Sequence, residues 1–409
     1  MTHGPRRIPF LLLCALFVSS ACASAACGGK ILEEGPDGGG DPPDGRGGLD
    51  GSSPDASTPD MDAAVDATSV HGVAWAAPMD AIDDGSPYVI AADQRGGVVV
   101  ATTTTVARWD ASGHRAWRVR MVPEGKSGIV GGLAIDRNGD VAVAGPGMAL
   151  LAGSDGHTVW TARVDGLLDT RGAAVLGDGS IVHVGWNEAR AAFGSTVLPT
   201  RGGFVTRYDG AGNVLAASHL YDLFPEETGP FGVGVDRDGD ARILVQHAAG
   251  GLAVETFDAA MHRIRSISLP DGTDNAVGAA TNDAAFAVFG DAVTPPSIQK
   301  VDVAGKPLWT FQPPKYPTDL SPPIVADETG GAITWAGTLL HLDANGTATD
   351  LTPNRTLEAA VNGAVGTSGF SITGAKVAID RGAVFVAGVV MANPLGGGRF
   401  YPFVAKIGR

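Results

Sequence analysis

The sequence predicts an all-β fold made of seven copies of one four-stranded antiparallel unit, and three observations point to it. A short phrase recurs through residues 71–409: an apolar strand, a turn rich in Asp and Gly, a second apolar strand, then Asp-x-x-Gly and often a Trp. The runs alternate or are continuously apolar, are rich in Val and Ile, and are bounded by Gly and Asp, which favours strands over helices. With Asp93, Asp136, Leu176, Asp236, Thr281, Asp327 and Asp380 as equivalents, the copies are 43, 40, 60, 45, 46 and 53 residues apart. That is close to the roughly 40 to 50 residues of one propeller blade. A single small sheet cannot bury its faces, so several must stack around an axis. The expected architecture is a seven-bladed β-propeller, preceded by a signal peptide and a disordered acidic linker.

Within each unit the inner hairpin comes first. It reads AADQRGGVVVAT from Ala91, LAIDRNGDVAVAG from Leu133, AVLGDGSIVHVG from Ala174 and GVDRDGDARILV from Gly234. Weaker copies start at Ala279, Ile324 and Lys376. A third strand, tight turn and fourth strand follow, as in RWDASGHRAW ending at Trp117, LAGSDGHTVW ending at Trp160 and KVDVAGKPLW ending at Trp309. Asp suits these turns because its carboxylate accepts from backbone amides ahead of it, and Gly takes positive φ without strain. The last copy ends RFYPFVAKIGR at Arg409, which supplies a third strand and no fourth. The missing strand is expected from the front of the domain, where VHGVAWAAPM places Trp75 as Trp117, Trp160 and Trp309 are placed elsewhere. That exchange would close the ring and leave no open edge at the junction.

These phrases resemble bacterial exported propellers with PQQ-like or bacterial seven-bladed propeller repeats. The likeness is most specific in FGSTVLPTRGGFVTRYDGAGNVLAA, from Phe193 to Ala217, and in RFYPFVAKI near the C-terminus. It implies an architecture, an exported lipoprotein and docking of neighbouring blades by the repeat tryptophans, with no shared activity.

Residues 1–27 read as an export signal, with Arg6 and Arg7 ahead of an eleven-residue apolar stretch, Ile8 to Val18. Cys22 and Cys27 each follow small residues in a pattern resembling a lipobox, although Ser stands where that motif prefers Leu. Lipidation at one of them is expected, with plain cleavage after Ala23 or Ala25 as the alternative. Residues 28–70 turn to Gly, Pro, Asp and Ser, and residues 31–70 carry a net charge of −9. Such a segment stays disordered and self-repelling, a tether that holds the 71–409 domain off a membrane. The domain carries the remaining −9 and no basic cluster, which argues against nucleic-acid binding. All three cysteines precede residue 28, so the domain must be held by packed sheets alone.

DRDGD at Asp236–Asp240 and DRNGD at Asp136–Asp140 alternate carboxylates as a Ca²⁺ loop does. They lack the following Gly and a bidentate Glu, and both fall on the hairpin turn, so they are expected to be turns with no metal. The histidines show no ligand spacing, and no HExxH, GxSxG or phosphate-loop motif occurs. Neither catalytic residues nor a cofactor is indicated. Ligands of propellers sit on loops at the channel mouth, and the longest insertions are 186–203, 218–230 and 311–323. Their exposed aromatic and basic residues, Trp186, Arg190, Arg201, Tyr221, Phe224 and Tyr316, are the candidate ligand contacts. The reading is a monomeric, envelope-anchored binding or scaffolding module for a protein or glycan. The alternatives are a sugar-active or PQQ-dependent propeller enzyme and an envelope-assembly lipoprotein.

Overall fold

A computed structural model describes residues 65–66 and 72–408, apart from 80–85, 94, 123–128, 167, 199, 221–226, 237, 248–250, 272, 279–283, 290–296, 314–322, 328, 368–371, 381–382 and 393–398. The candidate lipidation sites Cys22 and Cys27 and most of the segment 28–70 lie outside the described residues, as do Tyr221, Phe224 and Tyr316.

Seven antiparallel sheets share one topology, in which consecutive strands run from an inner to an outer position. Sheet 1 holds Val89–Ala92, Val98–Ala101, Thr105–Trp109 and Arg115–Arg120. Sheets 2 to 6 repeat it, starting from inner strands Gly132–Ile135, Leu168–Val175, Glu227–Val235, Thr273–Gly278 and Ile324–Ala326. Sheet 7 takes Ile372–Asp380, Ala383–Ala392 and Arg399–Gly408 from the C-terminus, and its outer strand is Val73–Pro78 from the other end of the domain. Cα partners there include Trp75 with Lys406, Ala76 with Ala405 and Pro78 with Phe403. The closure expected from the truncated last repeat is therefore formed. The short strand Val65–Asp66 adds a fifth strand outside Val73–Pro78. The inner strand of sheet 1 touches those of sheets 2 and 7, so the sheets run around an axis and meet where the chain's ends meet. This is a β-propeller.

The second strands explain the sequence pattern. Val98–Ala101, Val141–Ala144 and Ala332–Trp335 are buried along their whole length, because alternate side chains point to the two neighbouring sheets. Val98 and Val100 pack with Phe385 and Val404 of sheet 7. Val99 and Ala101 pack with Val141 and Val143 of sheet 2. Small β-branched residues suit a strand pressed from both sides.

Nine aspartate turns among the described residues are built alike. The Oδ1 of Asp136 accepts from the amides of Asn138 and Asp140, at 2.8 and 2.9 Å. Asp236 accepts from Asp238 and Asp240, at 2.9 and 3.0 Å. Asp93, Asp110, Asp209, Asp258, Asp302, Asp327 and Asp343 make the same pair of bonds. The first acid of DRDGD and of DRNGD is thus engaged by its own turn, and Asp140 Oδ1 accepts from Gly153 N at 2.9 Å in the sheet's outer turn.

Sheets splay with distance from the axis, and four tryptophans bridge the widening gap. Each indole Nε1–H donates to a carbonyl in the next sheet's outer turn: Trp75 to Ala111, Trp117 to Gly153, Trp160 to Gly210 and Trp309 to Ala344, at 2.9 to 3.0 Å. The rings lie on glycines. A Cβ added at Gly156, Gly212 or Gly346 would stand 2.8, 2.6 or 2.7 Å from Trp117, Trp160 or Trp309, and all three glycines have positive φ. A cation faces the indole across the strand pair in three cases, Lys406, Arg108 and Lys300. Lys406 Nζ reaches Gly96 O at 3.0 Å and Lys300 Nζ reaches Gly330 O at 2.8 Å, each in the next sheet. Arg108 donates to Gly153 O in the next sheet and to Asp93 in its own.

The helix of the structure has no counterpart in the sequence reading. Helix α1, Thr356–Val365, lies between the last strand of sheet 6 and the first of sheet 7. Its Leu357, Ala360 and Val361 pack with Val73, Ala76, Trp335 and Leu339, filling the gap between those two sheets. The strand beside it, Ala348–Asp350, is exposed throughout and has Thr349 where four of the sheets have Trp.

Replacing Trp117 by Ala should cost about 3 to 5 kcal/mol in urea unfolding, the range for a buried aromatic. Gly156→Ala should cost more than about 1 kcal/mol, because it combines positive φ with a clash against the same ring. If both variants unfolded within a few tenths of a kcal/mol of the parent, the indole bridge would not be holding sheets 1 and 2 together.

Candidate functional site

The propeller's two faces differ. On the face carrying the turns between first and second strands and between third and fourth, polar groups are spent on neighbouring sheets. Arg95 Nη2 donates to Asn138 O at 2.8 Å, Arg137 Nη2 to Gly177 O at 2.7 Å and Gly177 N to Gly239 O at 2.9 Å. The opposite face carries the insertions. Helix α1 is one. Another is a three-stranded sheet of Val164–Asp165, Ala191–Phe193 and Thr196–Leu198, with Phe193 and Leu198 packed on Phe204 of sheet 3.

Three of the candidate ligand residues lie at the stem of that second insertion. Trp186 is the last but one residue of the strand Ile181–Asn187 and is half-buried. The Arg201 guanidinium carbon sits 5.6 Å from its ring centroid. Arg201 Nε also pairs with Glu188 Oε2 at 3.1 Å, both side chains being well exposed. Arg190 is exposed at the start of the insertion. On the inner side, Asp169 is the Cα partner of Trp186 and forms an ion pair with Arg171; both are partly exposed. Trp186 and Arg201 are therefore brought together. Asp169, Arg171 and Glu188 were not singled out from the sequence, since only the strand register sets Asp169 opposite Trp186.

Beneath the stem, sheet 3 buries a column of polar groups facing sheet 2. Thr170 Oγ1 donates to Gly145 O at 2.7 Å and lies 3.3 Å from His183 Nε2. A hydroxyl that already donates must accept from the imidazole, so Nε2 carries the proton. His183 Nδ1, Thr206 Oγ1, Tyr208 OH and Asn187 Oδ1 are buried without a hydrogen-bond partner among the described residues. The Phe204 ring meets the His183 edge, with centroids 5.0 Å apart. Burial pushes the His183 imidazole down to about 3 and the Tyr208 phenol upward.

No protein family matches the chain, and no curated protein does. Among solved structures, the Pan2 WD40 domain of Neurospora crassa is 13% identical, with a TM-score of 0.50, covering 81% of this chain and 94% of that one. BamB from Moraxella catarrhalis is 14% identical, with a TM-score of 0.38 and coverage of 83% and 100%. A protein of unknown function from Bacteroides caccae is 11% identical, with a TM-score of 0.41 and coverage of 65% and 93%. Of these three, the Pan2 domain alone reaches 0.50, and at that identity it speaks for the propeller fold and nothing further.

The His183 shift makes stability depend on pH. Its folded pKa of about 3 lies below the ordinary 6.5, so the unfolded chain binds the extra proton first. The contribution is complete above pH 6.5 and is lost as pH falls toward 3. Each pH unit in that window costs about 1.4 kcal/mol, so urea unfolding at pH 5 should show about 2 kcal/mol less stability from this residue than at pH 7. His183→Gln should remove most of that difference. An equal loss in parent and variant would assign the acid sensitivity elsewhere.

Proposed function

We propose that this chain is an exported binding module, held to a bacterial outer membrane or cell surface through a lipid on Cys22 or Cys27, that presents the insertion face of its propeller to a protein or glycan partner. The observation that carries the reading is the asymmetry of the faces. One is closed by turn-to-turn bonds such as Arg95 to Asn138 and Arg137 to Gly177. The other bears α1, the small sheet and the Trp186–Arg201 pair. Loops freed from holding the ring together are where a scaffold can vary its contacts. The acidic linker at residues 28–70 supports the reading as a tether. A flexible segment of about 40 residues spans roughly 35 Å, and its charge lengthens it.

A photo-crosslinking amino acid at Arg190 should give a discrete adduct in cells. The same probe at Ser112 or Ala304, both exposed on turns of the other face, should give none. Mass spectrometry of the mature chain should find a lipid-modified Cys22 or Cys27. Adducts at the turn positions alone would point to the wrong face, and an unmodified terminus at Ser24 or Ala26 would remove the anchor.

A further inference from the structure

Asn187 is fully buried, and its Nδ2 donates to Ala189 O at 2.7 Å and to Thr200 O at 2.5 Å. One nitrogen thus ties both ends of the sheet-3 insertion together. Arg190 and Arg201 are the residues that follow those two carbonyls in the chain, and both are exposed. Counting Glu188, which pairs with Arg201, the stem carries one excess positive charge, on a domain whose net charge is −9. A local charge of opposite sign to the whole favours an anionic group at this spot.

The way Arg201 is held narrows the kind of anion. Its ion pair to Glu188 uses Nε, the atom that an end-on contact through the two terminal amines does not need. A planar guanidinium held in this way matches a carboxylate bidentately. The indole beside it offers a flat apolar surface. At 5.6 Å the guanidinium lies near the outer limit of about 6 Å for a cation–π contact, so it does not seal the ring. On the other side of Trp186, Asp169 keeps its carboxylate partly exposed while paired to Arg171, and a carboxylate accepts from hydroxyls.

We infer that the stem is a receptor for an acidic saccharide, a uronate-bearing oligosaccharide. Its C–H face rests on Trp186, its carboxylate is taken by Arg201 with Arg190 alongside, and its hydroxyls donate to Asp169. The inference rests on the reading of the insertion face as the binding face, and it selects glycan over protein because flat stacking area, a carboxylate receptor and a hydroxyl acceptor occur in one row.

The test is calorimetric titration of the full chain with trigalacturonate and hyaluronan tetrasaccharide, against cellotriose as a neutral sugar and triglutamate as a sugar-free polycarboxylate. At least one uronate should bind with a Kd below about 1 mM, and both controls at least about tenfold more weakly. Arg201→Gln and Trp186→Ala should each weaken it by about tenfold or more, while Trp186→Phe should retain most of the affinity. Raising NaCl from about 50 to about 500 mM should weaken binding. Failure of both uronates, triglutamate binding as well as they do, or an unchanged Arg201→Gln variant would overturn the inference. If the uronates fail while the Arg190 photoprobe still captures a partner, the binding face stands and the saccharide falls. If both fail, the face reading falls with it.

Discussion

The wedge-shaped gap between neighbouring sheets is the constraint on which this structure turns. Inner strands pack closely around the axis, but outer strands diverge and would leave apolar surface wet. An indole on the outer strand is wide enough to cross the gap, and its N–H finds the next sheet's turn carbonyl. Trp75, Trp117, Trp160 and Trp309 do this, which is why the turns they meet carry Gly at Gly156, Gly212 and Gly346. Sheets 3, 4 and 6 carry Ala216, Arg265 and Thr349 in place of the indole, and between sheets 6 and 7 α1 fills the gap. Closure obeys the same logic: Trp75 comes from the far end of the domain, yet it bridges sheet 7 to sheet 1 as the others bridge their neighbours.

That solution divides the molecule functionally. Turns on one face must stay short and keep their carboxylates on local amides, because the adjoining sheet docks against them. The opposite face carries fewer such bonds among the described residues, Thr170 to Gly145 being one, and both α1 and the three-stranded sheet are found there. The Trp186 stem sits at the end of strand Ile181–Asn187 on that face, held by the buried Asn187 and on the same strand as the buried His183. A site built on such a rigid strand end is positioned by the sheet, not by the loop itself.

Much of the fold was legible because it is written in a repeat. The aspartate turns and the strand exchange at Trp75 follow from aligning the chain with itself, and the docking role of the tryptophans from the resemblance to PQQ-like repeats. Helix α1 was not legible. Its N-cap is Arg355 in a left-handed conformation with no side-chain cap bond, and Gly363 lies within it, so the usual start signals are missing. It forms because Leu357 and Val361 find a gap to fill. The site was half legible: loop length and residue type pick out Trp186, Arg190 and Arg201, whereas Asp169, Glu188 and the clamp at Asn187 depend on register and on a turn that no motif encodes. Tyr221, Phe224 and Tyr316, drawn from the same kind of reasoning, fall outside the described residues.

Ring closure by the strand Val73–Pro78 is the central claim, since without it sheet 7 has an open edge and sheet 1 loses its bridging indole. The most direct measurement is thermal unfolding of the chain with residues 71–79 deleted, alone and after addition of a synthetic peptide of that segment. The account predicts aggregation or a much lower melting temperature, restored in part by the peptide. A melting temperature unchanged by the deletion would mean that the ring closes elsewhere.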